Sequence, residues 1–164
     1  MHHALAGWAL WPEWHELLGG RFLYQPGEVR GLAQPDSGYR HDVAYTAQVV
    51  ADHPVTAGLP ATFAVNDELY LAPAFAEDIV PLIRARHDFV RDNFYSAAAA
   101  VAGRMFDNTG WDHPQGNTCV AWAKQALAAR LVYLQFGDGP ATYANPHVRR
   151  VLANALDYVA SPQD

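Results

Sequence analysis

Cysteine is almost absent from this 164-residue chain. Cys119 stands alone, which excludes an internal disulfide framework and fits a reducing compartment. Basic runs are missing as well. The 11 Lys and Arg residues are scattered, and the net charge of −6 with a pI near 5.7 opposes a polyanion-binding surface, so nucleic acid is not an expected partner. No apolar run approaches the roughly 20 residues that a membrane-spanning helix needs. Met1-His2-His3 carries none of the basic flank that opens a signal peptide. A soluble, cytoplasmic chain without membrane contact is expected. What is present is apolar mass: 51% hydrophobic and 12% aromatic residues are enough for a real core in one domain spanning 1–164.

Turn chemistry punctuates the chain. In Asp52-His53-Pro54-Val55-Thr56-Ala57-Gly58-Leu59-Pro60, Pro54 fixes its own φ and biases His53 toward an extended conformation, Gly58 allows a left-handed exit, and Pro60 stops any helix. Phe63 and Val65 then alternate with smaller or polar neighbours and lead a strand into Asp67-Glu68-Leu69-Tyr70. Upstream, Pro12 suits a first helical turn, with Trp11, Trp14, Leu17 and Leu18 as an apolar stripe and Gly19-Gly20 as its stop. The three tryptophans Trp8, Trp11 and Trp14 are assigned to core. Arg21 to Tyr24 is a short strand candidate, and the segment from Gln25 to Arg40 reads as turn and loop.

Alternation over Tyr45, Ala47 and Val49 predicts a strand. In Ile79-Val80-Pro81-Leu82-Ile83 the internal proline points to an edge strand or a bulge. Ala97 to Val101 fits either helix or buried strand. Thr118 to Trp122 and Leu131 to Phe136 read as strands, with a short helix or turn at 124–129 between them. Asn145-Pro146 caps a last helix whose face is Val148, Val151, Leu152, Ala155, Leu156 and Val159. Strands alternating with helices imply an α/β layered domain.

Several residues are candidates for chemistry. Asp138, in the glycine-flanked turn Gly137-Asp138-Gly139, lies beyond the carboxyl end of a strand, where open α/β sheets bind ligands, although it is equally a turn residue. Adjacent carboxylates on a strand face opposite ways, so only one of Asp67 and Glu68 should enter a site, and Tyr70 shares the face of Glu68. Trp111-Asp112-His113-Pro114 with Asn117 offers an aromatic face and planar polar groups of the kind that recognise sugars, with an aromatic loop plug as the plainer reading. Cys119 has no glycine-flanked elbow around it and reads as a buried structural thiol rather than a nucleophile. The eight histidines form no metal-ligand motif: His2 and His3 are adjacent and diverge, His41, His53, His113 and His147 are dispersed, and His87 reads as exposed loop. No metal and no cofactor is therefore assigned.

An ordered set of segments resembles the ThuA-like (trehalose utilisation) family. It comprises His2-His3-Ala4-Leu5, His53-Pro54-Val55-Thr56 with Gly58-Leu59-Pro60, Asp67-Glu68-Leu69-Tyr70, Val120-Ala121-Trp122, Arg130-Leu131-Val132-Tyr133 with its glycine turn, and Asn145-Pro146 with the last helix. The resemblance implies a flavodoxin-like, class I glutamine amidotransferase-like three-layer core, with further β-α-β units expected before His2-His3 that this chain does not contain. It also implies a link to trehalose or related sugars. Where many relatives have a Gly-His pair after the late strand, this chain has Gly137-Asp138, so a histidine role does not transfer there.

Two functions follow as expectations. As an enzyme, the chain would carry out acid-base chemistry on a sugar or oxidised sugar derivative. His3 or His113 would transfer protons, Asp138 would orient or accept a hydroxyl, Trp111 would form a stacking wall, and Glu68, Tyr70 and Asn117 would contact the ligand. As a non-catalytic carbohydrate-binding or interaction module, it would keep the fold without the completed site. Sheet edges left open by missing units would favour a homodimer.

Overall fold

The computed structural model describes residues 2–7 and 11–162. The expected core position of Trp8 lies outside them. A 3-10 turn over His2–Ala6 precedes helix α1, Pro12–Leu18, which starts on its proline and ends where Gly19 takes the left-handed conformation at φ 84°. There follow strands β1 (Gly27–Val29), β2 (Leu32–Gln34), β3 (Gly38–Val49), β4 (Thr62–Leu71), β5 (Val80–Arg86) and β6 (Tyr95–Ser96). Helix α2 (Ala97–Val101), strands β7 (Cys119–Ala126) and β8 (Ala129–Leu134), and helices α3 (Pro140–Ala144) and α4 (Pro146–Ala160) complete the order.

The main sheet runs β4-β3-β5-β7-β8, with β6 paired to the start of β3, and β1 and β2 form a separate hairpin. Every strand pairing among the described residues is antiparallel. The α/β class therefore stands, but these residues do not build the parallel sheet of a flavodoxin-like core. For the last pair the reason is visible in the connection: the sequence reads as helix or turn between β7 and β8, the chain makes a tight turn at Leu127-Ala128, and a connection that short permits only antiparallel pairing.

Two hydrophobic clusters flank the sheet. One joins Val43, Tyr45, Val65, Leu69 and Leu71 to Val148, Val151 and Ala155 of α4. The other joins Tyr39, Tyr70, Trp122 and Tyr133 to Leu5 and to Leu18 of α1. The Trp122 ring stacks on Tyr133 at 4.1 Å and its Nε1 donates to the Leu18 carbonyl at 2.7 Å, which pins α1 on this face. In α4 the expected apolar face is only half used, because Leu152, Leu156 and Val159 remain exposed. Trp11 is also exposed rather than core.

Other expectations change for local reasons. Arg21 to Tyr24 forms no strand, although Phe22 N donates to the Leu5 carbonyl at 2.9 Å. The supposed loop from Gln25 to Arg40 contains β1, β2 and the start of β3. β5 is central rather than an edge, and Pro81 is accommodated by a register shift against β7. The ambiguous alanine run is helical because Ser96 caps it, accepting from Ala99 N at 3.0 Å.

β4 is an outer strand, yet three of its carbonyls accept from the chain after β8. Asn145 Nδ2, Thr142 Oγ1 and Gln135 Nε2 donate to Ala64, Asn66 and Glu68 at 2.8, 3.1 and 3.4 Å. The chain after β8 thus curls round to cover the β4 edge, the pairing surface that would otherwise be open. It also brings Asp138 to Glu68.

Candidate active site

The site depends on a bulge in β3. Arg40 pairs with Leu69 and Val43 with Asp67, so His41 and Asp42 together oppose the single residue Glu68. Asp42 absorbs the extra residue in a left-handed conformation, φ 54°. The consequence is a change of face: Tyr39 lies in one hydrophobic cluster and Val43, four residues on, lies in the other. His41 is delivered beside Glu68 by this device.

Glu68 is 4% exposed. Its Oε2 accepts from the Tyr70 hydroxyl at 2.7 Å, and its Oε1 lies 3.4 Å from His41 Nδ1. Tyr70 Oη is also 3.2 Å from His3 Nδ1, and His41 Nδ1 is 3.8 Å from Asp138 Oδ2. Burial, followed by the Glu68 charge, pushes the Tyr70 hydroxyl far above its usual range, so it stays protonated and acts as a donor. His3 is held over the site by the 3-10 turn, which is anchored through Phe22 N on Leu5 O and Trp14 Nε1 on Ala4 O, each at 2.9 Å.

Asp138 owes its position to Asp67. The two Asp67 oxygens accept from Gly137 N at 2.9 Å, Asp138 N at 3.0 Å and Glu68 N at 3.0 Å. Opposite facing of the two carboxylates therefore gives them separate tasks: Glu68 enters the site and Asp67 holds the turn that bears Asp138. The cluster borders a cavity of about 290 Å³ whose walls include Phe22, Tyr24, Tyr39 and Met105, together with His3, His41, Glu68 and Tyr70. Such a combination of apolar walls and a few convergent polar groups is the usual form of a small-molecule site.

The structure thus brings together His3, Glu68, Tyr70 and Asp138 from the sequence-predicted set. The sequence places His41 among dispersed histidines, and its position beside Glu68 depends on the bulge, which alternation does not reveal. Trp111, His113 and Asn117 sit elsewhere. Trp111 belongs to a hydrophobic cluster and donates from Nε1 to the Asp36 carbonyl at 3.3 Å, the geometry of a loop plug. His113 and Asn117 line a different cleft beside Arg84. His113 Nδ1 donates to the Pro114 carbonyl at 2.7 Å, while Asn117 Oδ1 accepts from Cys119 N at 2.9 Å. Cys119 is buried, its thiol donates to the Ala121 carbonyl at 3.2 Å, and burial raises its pKa, all of which suit a structural thiol. His53 serves structure too: its Nδ1 accepts from Val55 N at 3.2 Å and caps the turn over Pro54–Thr56.

Among the described residues, no helix is long and apolar enough to cross a membrane. No protein of curated function matches the chain. The crystal structure of a ThuA-like protein from Parabacteroides merdae is similar in fold, with a TM-score of 0.65 at 16% identity. The match covers 99% of this chain and 61% of that one. The chain therefore spans about 61% of the length of that relative. The family model described as ThuA, trehalose utilisation, matches residues 1–159, and the chain belongs to the ThuA family.

Proposed function

We propose that the cavity beside Glu68 binds a sugar or an oxidised sugar derivative and that the polar cluster performs acid-base chemistry on it. The observation that carries this reading is the connected set His3, Tyr70, Glu68 and His41 lining an aromatic cavity, with Asp138 3.8 Å from His41. Aromatic walls suit the apolar face of a pyranose, while carboxylates and imidazoles match its hydroxyls. Family membership supports a link to trehalose or related sugars.

Roles follow from position. Glu68, fixed by the Tyr70 hydroxyl, is the general base. His41, 3.4 Å from Glu68, and His3, 3.2 Å from the Tyr70 hydroxyl, connect it to bulk solvent, since both are more exposed than Glu68. Asp138 accepts a substrate hydroxyl. The exposure of His3 and Asp138 also favours a second reading, a carbohydrate-binding module without turnover. Saturation-transfer NMR with trehalose and its keto derivative tests the site common to both: transfer to the sugar is expected in the unaltered chain and is expected to fall sharply in Phe22→Ala. Equal transfer in both would contradict placement of the sugar in this cavity.

A further inference from the structure

We propose that His3, Glu68 and Asp138 form a binding site for a divalent transition-metal cation. One donor atom from each residue lies within 4.8 Å of the others. Donors bonded to a common ion at roughly 2.0 to 2.2 Å stand about 3 to 4 Å apart, so closure needs side-chain movements of only about 1 Å. The movable partners are suitably placed, because His3 and Asp138 are exposed, whereas Glu68 is buried and anchored by Tyr70.

The donor set selects the ion. One imidazole with two carboxylates suits borderline cations such as Zn²⁺, Mn²⁺ or Co²⁺; it has no thiolate to favour copper(I), and its imidazole is a poor choice for Ca²⁺ or Mg²⁺. His41 Nδ1 lies 3.4 Å from Glu68 and 3.8 Å from Asp138, longer than a hydrogen bond to the latter, and forms a polar neighbour to both carboxylates. Asp67 acts one step further out by fixing the Gly137-Asp138 backbone. The three donors come from the 3-10 turn, β4 and the turn after β8, so three remote stretches of sequence converge on one point.

Sugar binding and cation binding stand apart, but the ion displaces the base role of Glu68: a carboxylate that holds the ion through one oxygen and accepts from Tyr70 through the other is a poor base, so with the ion bound proton transfer falls to His41. The further role of the ion, to hold vicinal hydroxyl or keto oxygens of the sugar at the cavity mouth, rests on that reading. A bound ion with open positions is suited to it, because three protein ligands leave room for substrate oxygens.

The test is calorimetric titration of the untagged chain with ZnCl₂, paired with the visible absorption of added Co²⁺. One saturable equivalent is expected. Asp138→Asn and His3→Ala are each expected to weaken it by at least about tenfold, and His147→Ala, remote from the cluster, to leave it unchanged. Glu68→Gln should do the same as Asp138→Asn, with circular dichroism verifying its fold; the exposed Asp138 and His3 variants keep the result decisive if Glu68→Gln does not fold. No saturable equivalent, or one that survives both Asp138→Asn and His3→Ala, overturns the site. A chain that binds the ion but no sugar contradicts the proposed function alone, whereas one that binds sugar but no ion contradicts the cation site alone.

Discussion

The Tyr70 hydroxyl donates a 2.7 Å hydrogen bond to the buried carboxylate of Glu68, two residues away on the same face of β4. A strand places residues i and i+2 side by side, so this pair is built into the local geometry. It fixes Glu68 in one orientation and keeps a proton donor next to it.

Removing that hydroxyl is the simplest perturbation. Tyr70→Phe retains the ring contact with Phe22, whose centroid is 5.0 Å away, but removes the hydrogen bond to Oε2 of buried Glu68. The expected loss of stability is about 1.5 to 3 kcal/mol, the usual contribution of a hydrogen bond to a charged group. Urea denaturation measures it, and an unchanged midpoint would show that Glu68 does not depend on Tyr70.

Asp67 provides a test of positioning. Asp67→Asn keeps one acceptor oxygen where the native carboxylate serves three backbone N–H groups. A destabilisation of about 1.5 to 3 kcal/mol is expected for charge-assisted bonds of this kind. Faster hydrogen exchange at the Gly137 and Asp138 amides should accompany it, and exchange equal to that of the unaltered chain would remove Asp67 from the positioning role.

Gly38 tests the packing under the start of β3. A Cβ there would lie 2.7 Å from the Trp111 ring, 2.9 Å from Phe94 Cβ and 3.0 Å from Leu71 Cβ. Gly38→Ala should therefore lower stability by about 1 to 3 kcal/mol, as overpacking does. A thermal midpoint within error of the parent would mean that these neighbours give way freely.

The buried histidines set an acid limit. Burial lowers the pKa of His113 and, with help from Arg21, that of His15 below the usual 6.5. An unfolded chain therefore binds more protons than the folded one as pH falls through and below 6.5, and stability decreases in that window until the folded-state pKa values are reached. Above about 6.5 these groups contribute no slope. Urea midpoints at pH 7.5 and 5.5 should differ, with a smaller difference in His113→Gln. That variant should retain sugar binding, because His113 lies away from the Glu68 cavity.

What could be read from sequence followed local rules. Asn145 does cap α4, accepting from His147 N at 3.0 Å, and α1 runs from Pro12 to its glycine stop. The opposite facing of Asp67 and Glu68, with Tyr70 beside Glu68, follows from period-two alternation and is found. Alternation says which face a residue takes but not which strand lies alongside, so the antiparallel order and the central place of β5 were hidden. The bulge at His41-Asp42 was hidden for a related reason: an extra residue in one strand is defined only against its partner. Trp111 and His113 had suitable chemistry for a site but satisfy the fold locally instead.

The most direct test is solvent-deuterium exchange into a keto derivative of trehalose, followed by proton NMR in the presence of the unaltered chain and of Glu68→Gln, both freed of divalent cations with EDTA. Exchange at the carbon next to the carbonyl that depends on the chain is predicted, falling by about 10² to 10⁴-fold when Glu68 is neutralised. Exchange that proceeds equally in Glu68→Gln, or sugar binding without any exchange in the unaltered chain, would contradict the assignment of Glu68 as the general base.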